Sequence, residues 1–427
     1  MSRHLAFLLA LLFCAQLAKP QDTLTVMQYN LLYYGEVTGF CNNSNNSLQM
    51  KDPHLRTILN HVNPDILTVN ELSKDAPVHD HLLDNVLNAN GSNRYSKAQL
   101  RNTANSNIVN MIFFDNRKLA LKAQYTAQNV VRDIDVYELY YKSNDLLQGD
   151  TAFIICIVAH LKAGNTTSDA NSRKIMAENT MRFVDTRFAN ANVMLMGDFN
   201  LYTDAEPAFQ TMVNYSSVPA RFIDPVGQMG NWNNNAFYAS VHTQSTNVVS
   251  GDCKSGGGLD DRFDFVLISD EIRFGTKKVR YVQNSYRAIG QDGQRFNNAV
   301  NAAPQNLSVP AEVADALFNF SDHLPVSLKL RVDKVLDVRE NIANPYMANL
   351  SPNPATAQAR LSFYIDTDET VTIQLLNPAG QLLWESAPQY QTGKNSIQLP
   401  VSTLQAGMYL VRLKGNKKSQ TMRLLKN

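Results

Sequence analysis

The stretch VMLMGDFN, residues 193–200, joins four apolar residues to a glycine and then to Asp198 and Asn200. A short apolar run that ends at a glycine predicts a buried strand. Side chains just beyond the end of such a strand lie where α/β proteins place binding and catalytic groups. A turn in which Asp198 and Asn200 bond their own backbone is the alternative. The rest of the sequence must decide between a site and a turn.

Other segments of the chain also place a polar residue where an apolar or alternating run ends. These residues are Asn30 in MQYN, Glu71 in VNEL, His160 in VAHL, Asp264 in DDRFDFVL, and Asp322 with His323 in SDHLPV. Each has an ordinary explanation of its own, such as a capping carboxylate or a core histidine with satisfied hydrogen bonds. Six strand termini of this kind in one chain are hard to explain as coincidence. The sequence therefore predicts one site that contains all of them.

Strands and helices alternate along most of the chain. Strands are predicted at TLTVMQYN, DILTVNEL, NIVNMIFF, VYELYY, TAFIICIVAHL, NVMLMG, FDFVLIS and LPVSLKLRV. Apolar residues at helical spacing predict a helix that begins near Asp52 and Pro53 and ends before Pro64, and a second helix within residues 172–188. Interleaved strands and helices indicate a layered α/β domain.

The character of the sequence changes near residue 335. The segment NPYMANLSPNPATA is a linker rich in Pro and Asn, and after it come only short strand segments separated by turn residues. This pattern predicts a small all-β sandwich. We therefore divide the chain into a signal peptide (1–20), a large α/β domain (21–334), a linker (335–350) and a β-sandwich domain (351–427).

The first twenty residues have the plan of a signal peptide. Arg3 and His4 precede an apolar stretch from Leu5 to Cys14, and polar residues follow by Gln21. That stretch is too short to span a bilayer, and a cationic start before a short apolar core is typical of export signals. A buried N-terminal helix is the alternative. No later segment is apolar enough for a membrane span, so we expect an exported, soluble mature protein.

The net charge of +1 hides a difference between the two regions. Residues 21–334 hold 28 Lys and Arg against 32 Asp and Glu, a net charge of −4, and residues 335–427 hold 9 against 6, a net charge of +3. The larger region therefore lacks the excess of basic residues that drives nonspecific nucleic-acid binding. Any nucleic-acid chemistry must rest on the site itself, with a divalent cation supplying positive charge.

Four cysteines are few for a disulfide scaffold. Cys14 lies in the leader, and Cys156, inside FIICIV, is most simply a buried apolar residue. Cys41 and Cys253 lie in polar loops, where export would permit a disulfide. The sequence leaves open whether they pair.

The strand-end residues, their order and their local motifs resemble the endonuclease/exonuclease/phosphatase superfamily. This group contains DNase I-like nucleases, abasic-site endonucleases, neutral sphingomyelinases and inositol polyphosphate 5-phosphatases. The resemblance covers residues 23–332 and rests above all on GDFN followed by SDHLPV. It implies a DNase I-like layered α/β sandwich. One departure is Asn70, where the family more often has Gln, but Asn70 only neighbours the expected ligand Glu71.

The resemblance implies a metal site at Asn30, Glu71 and Asp322. Oxygen ligands and a remaining shell of water suit Mg²⁺, with Mn²⁺ as the alternative. Sulfur and imidazole clusters at zinc spacing are absent from the sequence. The expected cofactor is therefore a hard divalent cation that neutralises phosphoryl oxygens.

The resemblance also implies catalytic roles for His160, Asp198, Asn200, Asp264 and His323. Asp198 would orient and deprotonate the attacking water, and Asn200 would hold Asp198 or the phosphate. His160 and His323 would bond nonbridging phosphate oxygens. Asp264 would accept a hydrogen bond from His323 and so fix its tautomer. Which histidine donates the final proton is left open.

Four other residues are weaker candidates for the site. Arg132 and Lys162 could contact a phosphate, although charged residues beside strands usually face solvent. Trp232 could stack on a base, but it is more simply an anchor for its own loop. Arg262 could pair with the aspartates on either side of it.

These roles imply an exported, Mg²⁺-dependent phosphodiesterase, and we expect an extracellular nuclease that acts on DNA or RNA as a monomer. A sphingomyelinase or phospholipid phosphodiesterase is the next alternative, since HLKAG, residues 160–164, is similar in style to lipid and inositide members. An inositol-phosphate phosphatase is the third. A surface binding protein with a decayed site is the non-enzyme alternative, although none of the eight expected polar residues is missing.

The tail, with SPNPATAQ, the strand series and GMYLVRL, resembles the C-terminal sorting domain of the type IX secretion system. That resemblance implies the type IX machinery as a partner. It also implies that the protein crosses the periplasm and is then secreted or kept on the outer cell surface. A generic β-sandwich that binds a polymer or the cell wall is the alternative.

Overall fold

The computed structural model describes residues 21–143, 146, 151–251, 253–333, 346–378, 380–416 and 418–427. The chain forms two compact units, Met1–Leu336 and Asp337–Asn427, and each is described by itself. The predicted signal peptide and most of the predicted linker lie outside the described residues.

The strands of the first unit alternate with helices, as expected. The strands are β1 (Gln21–Tyr34), β2 (Ile66–Ser73), β3 (Tyr95–Lys97), β4 (Ile108–Asp115), β5 (Leu119–Gln128), β6 (Ile134–Tyr141), β7 (Phe153–His160), β8 (Val193–Asp198), β9 (Phe222–Ile223), β10 (Asp264–Ser269), β11 (Val279–Tyr281), β12 (Arg287–Ala288) and β13 (Val326–Asp333). The α-helices are α1 (Leu48–Val62), α2 (Ala76–His81), α3 (Thr167–Phe188), α4 (Pro207–Val213), α5 (Asp270–Phe274) and α6 (Ala311–Phe320).

These strands form two mixed sheets. The order is β11-β13-β1-β2-β4-β3 in the first sheet, where β12 also pairs with β13, and β5-β6-β7-β8-β10-β9 in the second. Each sheet has a parallel pair near its centre, β1 with β2 and β7 with β8. The helices α1 and α3 connect the strands of these pairs, because parallel neighbours require a crossover connection.

The two sheets pack against each other, with helices on their outer faces. Along β8, Met194 and Met196 belong to the core between the sheets, whereas Val193 and Leu195 pack with residues of α3 and α4. Successive residues of a strand point to opposite faces, so a strand buried on both sides needs a continuous apolar run. The predicted DNase I-like layered α/β sandwich is confirmed by this arrangement.

Helix α1 begins earlier than the sequence pattern indicates. The predicted start near Pro53 is wrong, because the helix begins at Leu48 and the side chain of Ser47 caps it. Pro53 lies inside the helix, where it removes one intrahelical hydrogen bond. The helix ends at Val62, before Pro64, as predicted.

The strand β5 and the helix α6 were not predicted from the sequence. β5 reads LALKAQYTAQ, and Ala and Lys are depleted in strands. It is held in place by antiparallel pairing with β6. α6 has ten residues and packs on α1. β5 therefore depends on its pairing partner more than on local preference, whereas the Ala- and Leu-rich sequence of α6 itself favours a helix.

The second unit contains strands only, among its described residues. They are β14 (Asn349–Ser351), β15 (Ala359–Ile365), β16 (Glu369–Thr370), β17 (Thr372–Leu376), β18 (Leu382–Ser386), β19 (Gln389–Tyr390), β20 (Gly393–Leu399), β21 (Gly407–Lys414) and β22 (Ser419–Lys426). The sheets have the orders β14-β15-β20 and β18-β17-β21-β22, with β16 and β19 paired separately. Alternate residues such as Leu361, Phe363 and Ile365 fill their common core. The predicted small all-β domain is confirmed.

In the described parts of the chain, no helix has the length and apolar character needed to cross a membrane.

Candidate active site

Six strand ends bring the predicted polar residues together at one edge of the paired sheets. β1, β2, β7 and β8 point their carboxyl ends to this edge, while β10 and β13, which are antiparallel to β8 and β1, point their amino ends to it. The residues gathered there are Asn30, Glu71, His160, Asp198, Asn200, Asp264, Asp322 and His323. All are buried except Glu71, which is half-buried.

Irregular backbone at the ends of β1 and β2 aims Asn30 and Glu71 at each other. The pairing of β1 with β2 shifts register after Asn30, and Glu71 has a φ of +57°, a left-handed conformation that is strained for a residue with a side chain. Nδ2 of Asn30 donates to Oε1 of Glu71 (3.1 Å), and the amide of Tyr33 donates to Oε2 (3.1 Å). Two donors thus fix the position of the Glu71 carboxylate.

Asp198 ends β8 beside a glycine that the fold requires. Nδ2 of Asn30 and the amide of Asn200 each donate to one Asp198 carboxylate oxygen over 3.0 Å. Gly197 has a φ of +145°, and a β-carbon there would lie 1.7 Å from the carbonyl oxygen of Ala159 on β7. Only glycine therefore permits the close approach of β7 and β8 that places Asp198.

His160 and His323 both face the Oδ2 atom of Asp198. Nε2 of His160 lies 3.6 Å from this oxygen and 3.8 Å from Oε1 of Glu71. Nε2 of His323 lies 3.7 Å from the same Asp198 oxygen. These separations exceed hydrogen-bond length, so the four side chains surround a small space instead of bonding directly across it.

Asp264 and Gln244 hold the two ring nitrogens of His323. Nδ1 of His323 donates to Oδ2 of Asp264 over 2.8 Å. Nε2 lies 2.9 Å from Nε2 of Gln244. The sequence analysis did not identify Gln244, because it lies in a loop with no periodic pattern and no neighbouring motif.

Asp322 presents an unpaired oxygen to the site. The amide of Ser255 donates to its Oδ2 over 3.0 Å, whereas Oδ1 is buried without a hydrogen-bond partner among the described residues. Oδ1 of Asp264 is likewise buried without a hydrogen-bond partner among the described residues. Because buried polar atoms are nearly always paired, two unpaired carboxylate oxygens indicate a place for a cation or for ordered water.

A disulfide joins the loop after β1 to the loop that contacts Asp322. Cys41 and Cys253 are bonded across a separation of 212 residues, which confirms the pairing that the sequence left open. Cys253 precedes Ser255, the donor to Asp322, by two residues. Cys156 is free and buried, as expected.

Burial and mutual repulsion disfavour the ionised forms of the carboxylates. Burial raises the pKa of Glu71, and the charge of Asp322 raises it further. Burial also raises the pKa of Asp198 to about 7. A bound cation would relieve both effects, because an opposite charge close to a carboxylate favours its ionised form.

The two histidines have opposite electrostatic surroundings. Burial lowers the pKa of His160 well below its ordinary value, and Arg132 lowers it further. Burial also opposes protonation of His323, but the carboxylates of Asp264 and Asp198 outweigh burial and raise its pKa well above the ordinary value. Burial and Arg132 therefore favour the neutral form of His160, whereas Asp264 and Asp198 favour the charged form of His323.

The residues present fit a hard divalent cation. Ligand atoms of Glu71, His160 and Asp198 all lie within 4.8 Å of one another, and carboxylate oxygens suit Mg²⁺ or Mn²⁺. Asn30 directs its amide nitrogen to the carboxylates, while its oxygen accepts from the amide of Leu32 over 2.9 Å. In this orientation Asn30 supports the carboxylates, and its role as a direct ligand stays a prediction.

Arg132 is the weaker candidate that lies beside the site. Its Nη1 donates to the carbonyl oxygen of Leu161 over 3.1 Å, and its charge lowers the pKa of both Glu71 and His160. Lys162 instead pairs with Asp169 over 2.9 Å. Of these two candidates, Arg132 is thus the one close enough to the site to influence its charges.

Two other candidates are structural. Trp232 is fully buried and packs on Phe209 and Phe265, so stacking of Trp232 on a base is wrong and its role as a loop anchor is confirmed. Arg262 is buried and forms an ion pair with Asp224 over 2.8 Å. The expected pairing of Arg262 with its sequence neighbours is therefore wrong, because a distant carboxylate reaches it in the folded chain.

Residues 349–427 match the family model described as the secretion system C-terminal sorting domain. The match confirms the sorting domain predicted from the tail. It marks the chain for secretion to the cell surface or the extracellular space. None of the curated proteins matches the chain.

Several solved structures are similar to this chain. An endonuclease/exonuclease/phosphatase from Beutenbergia cavernae DSM 12333 is 16% identical with a TM-score of 0.45, over 94% of this chain and 100% of that one. The human Nocturnin catalytic domain is 15% identical with a TM-score of 0.42, over 74% and 97%. ANGEL2, a 2',3'-cyclic phosphatase, is 14% identical with a TM-score of 0.41, over 73% and 96%. Similarities this distant do not assign an activity, which must be argued from the site.

Proposed function

We propose that the first unit hydrolyses phosphate esters with the help of a divalent cation, and that its substrate is a phosphodiester. The observation that carries this proposal is the position of Asp198, whose Oδ2 lies 3.6 Å from Nε2 of His160 and 3.7 Å from Nε2 of His323. The Glu71 carboxylate lies beside them. A base, two donors and a metal-binding carboxylate around one space are the groups that phosphoryl transfer to water requires.

The carboxylates of Glu71 and Asp322 would hold the cation. The unpaired Oδ1 of Asp322 is available for it. Nδ2 of Asn30 donates to both Glu71 and Asp198 and so fixes the position of one carboxylate relative to the other. When bound, the cation neutralises charge on the phosphoryl oxygens and on the leaving oxygen.

Asp198 would accept the proton of the attacking water. The Asp198 carboxylate is the basic group that faces the space between the two histidines, where it could accept a proton from water. The side-chain amide of Asn30 donates to Oδ2 of Asp198, and the backbone amide of Asn200 donates to Oδ1. Asn200 thus acts through its backbone, while its side chain donates to the carbonyl oxygen of Leu161 over 3.3 Å.

The two histidines would bind the nonbridging phosphate oxygens as negative charge develops on them. Asp264 accepts from Nδ1 of His323 and favours the charged ring. Nε2 of the charged ring would donate to a phosphate oxygen in place of its contact with the amide nitrogen of Gln244. His160 stays neutral and contributes a hydrogen bond. Donors already placed around the reacting group cost no reorganisation during the reaction.

Nucleic acid is the substrate that we favour. Two half-buried tyrosines, Tyr33 and Tyr202, lie near the site carboxylates. Burial raises both pKa values; Glu71 raises that of Tyr33 further, and Asp261, with a smaller effect of Asp198, raises that of Tyr202 further. Aromatic rings beside a phosphate site can stack on bases, and Arg132 supplies a donor to the backbone phosphate. The sorting domain places the reaction outside the cell, so we propose an extracellular nuclease.

A lipid phosphodiesterase is the second candidate, because apolar side chains are exposed on the two loops that the disulfide joins. Phe40 is 77% exposed and Val249 is 79% exposed, with Val37 and Val248 beside them in sequence. Exposed apolar residues grouped near a site often mark contact with a membrane or with an apolar ligand.

Hydrolysis of plasmid DNA, RNA and sphingomyelin by the purified mature protein, with Mg²⁺ and with EDTA, tests the proposal. We expect Mg²⁺-dependent cleavage of nucleic acid. Release of the lipid headgroup alone would support the second candidate. No hydrolysis of any of the three substrates would contradict the proposed phosphodiesterase.

A further inference from the structure

We propose that Lys51 is a positioning residue for the metal-binding carboxylate of Glu71, acting through the backbone of residues 31–33. The proposal rests on the function proposed above, because it concerns the same metal site. Lys51 lies on α1 and is only 2% exposed. A buried lysine is rare unless its ammonium is bound by oxygen atoms, so the partners of Lys51 are informative.

The ammonium of Lys51 binds the carbonyl side of the segment that follows Asn30. Nζ donates to the carbonyl oxygens of Leu31 and Leu32 over 2.7 Å each, and to Oδ1 of Asn46 over 2.8 Å. Nδ2 of Asn46 in turn donates to the carbonyl oxygens of Leu32 and Tyr33 over 3.1 Å each. Lys51 and Asn46 together bind three consecutive carbonyl groups.

The amide side of the same segment faces the metal site. The amide of Leu32 donates to Oδ1 of Asn30 over 2.9 Å, and the amide of Tyr33 donates to Oε2 of Glu71 over 3.1 Å. Leu32 and Tyr33 have φ values of +47° and +48°, which two successive residues with side chains adopt only when other contacts impose it. We call residues 31–33 the clamped segment. Lys51 and Asn46 bind its carbonyl groups, and the amides of Leu32 and Tyr33 donate to Asn30 and Glu71.

Removal of the ammonium would release the clamped segment. Buried carbonyl oxygens that lose their donor carry a desolvation cost, and the strained backbone can lower that cost by rotating back to ordinary φ values. That rotation would withdraw the Tyr33 amide from Glu71. Glu71 would then lose one of the two donors that orient its carboxylate, so the cation would bind more weakly.

The ammonium donates hydrogen bonds only to neutral oxygens among the described residues, while the carboxylates of Asp322 and Glu71 act on it through their charge. It packs over the ring of Phe320, 4.6 Å from the centroid. Burial lowers the pKa of Lys51 to about 7, and Asp322 opposes this change. Maintenance of the clamped segment accounts for all three hydrogen bonds of a costly buried lysine.

Mn²⁺ affinity, measured from the electron paramagnetic resonance signal of the free ion, tests the proposal without reference to activity. We expect Lys51→Met to bind Mn²⁺ at least about tenfold more weakly than the wild type, as loss of a group that orients a ligand typically does. Lys51→Arg, which keeps charged donors, should recover part of the affinity. Lys122→Met is the matched control, because Lys122 pairs with Glu138 and packs over Phe153 in the same unit, and it should bind Mn²⁺ like the wild type.

Hydrogen exchange of the Tyr33 amide separates this proposal from the proposed function. The amide should be protected in the wild type and in Lys122→Met, and should exchange faster in Lys51→Met. A wild type that binds no Mn²⁺ would contradict the proposed function, and the exchange of Tyr33 would still decide the role of Lys51. A folded Lys51→Met with unchanged Mn²⁺ affinity and unchanged Tyr33 exchange would overturn the proposal.

Asn46→Ala covers the case in which Lys51→Met does not fold. This variant removes the donors to the carbonyl oxygens of Leu32 and Tyr33 and one acceptor of Lys51. It should weaken Mn²⁺ binding in the same direction. Wild-type affinity and wild-type Tyr33 exchange in Asn46→Ala would also overturn the proposal.

Discussion

Nδ1 of His323 lies 2.8 Å from Oδ2 of Asp264, and both side chains are buried. Asp264 begins β10 in one sheet, and His323 precedes β13 in the other. The hydrogen bond therefore joins the two sheets at the edge that carries the site. It also fixes the imidazole so that Nε2 faces Asp198.

We expect Asp264→Asn to lower kcat/KM roughly 10- to 100-fold while the protein stays folded. The amide cannot hold the positive charge of His323, and the ring loses the acceptor that sets its orientation. Steady-state hydrolysis of the best substrate, compared with the thermal unfolding midpoint of the variant, measures both effects. Activity equal to that of the wild type would show that Asp264 does not orient a catalytic histidine.

Asp198→Asn should reduce turnover by roughly 10²- to 10⁴-fold, the usual contribution of a general base. The amide keeps the size of the carboxylate and can still accept from Asn200, so the fold should survive, which circular dichroism would verify. Asp80→Asn is the control, because the side chain of Asp80 is 62% exposed and lies outside the site. Equal activities of Asp198→Asn and Asp80→Asn would refute the role given to Asp198.

Glu71→Gln should be more stable than the wild type in EDTA and should gain nothing from Mn²⁺. Burial and Asp322 raise the folded-state pKa of Glu71, so ionisation of Glu71 lowers stability as pH rises above the unfolded-state pKa. Glutamine removes that cost but cannot replace the ligand. Thermal unfolding near neutral pH, with EDTA and with Mn²⁺, measures both the gain in stability without metal and the loss of stabilisation by Mn²⁺. A variant that Mn²⁺ stabilises as much as the wild type would exclude Glu71 as a ligand.

Replacement of Cys41 and Cys253 by Ser should lower the free energy of unfolding by about 2–4 kcal/mol, because the bond closes a loop of 212 residues. Activity should also fall, since Ser255, two residues after Cys253, donates to Asp322. Denaturant unfolding and hydrolysis rates check both effects. A reducing agent should lower the stability and activity of the wild type in the same way and should leave the double variant unchanged. If the double variant were as stable as the wild type, the prediction would be contradicted.

Asp135→Asn should make the protein more stable at alkaline pH. Burial raises the pKa of Asp135 to about 8, and its Oδ1 has no hydrogen-bond partner among the described residues. Because the folded-state pKa exceeds the unfolded value of about 4, the stabilising effect of its bound proton is complete below about pH 4 and is lost as pH rises through about 8. The variant should exceed the wild type by on the order of 1–3 kcal/mol at about pH 9.

Urea unfolding of both proteins at about pH 5, 7 and 9 measures this difference. The advantage of Asp135→Asn should grow with pH. A difference that is constant over the three pH values would show that the Asp135 carboxyl does not titrate between the folded and unfolded states.

Local patterns were enough to predict the central strands and the polar residues at their ends, which the fold brings together. The apolar run before Gly197 marked β8, and the same kind of pattern located the ends of β1, β2 and β7. The pattern failed for β5, where pairing with β6 outweighs local preference. The start of α1 was placed too late because the Ser47 cap was not recognised. The expectation for Arg262 was also wrong, because its partner Asp224 lies more than thirty residues away along the chain.

The sequence pointed to eight polar residues, and the resemblance implied one contact among them, between His323 and Asp264, which the structure contains. The structure adds that Asn30 donates to both Glu71 and Asp198. It also adds Gln244 beside His323, which no motif distinguishes from ordinary loop residues, and it shows that Arg132 rather than Lys162 acts on the charge of His160.

By itself the sequence determined the order of strands and helices, the two-part organisation, and the chemistry at the strand ends, because these depend on periodicity within a few neighbouring residues. Tertiary structure alone decided which groups meet. Asn30 reaches Asp198 across 168 positions, and Cys41 bonds Cys253 across 212. Lys51 binds residues 31 and 32 from a different element. Such contacts arise when two sheets and their loops pack as a whole, and no local pattern records which distant residues will be brought together.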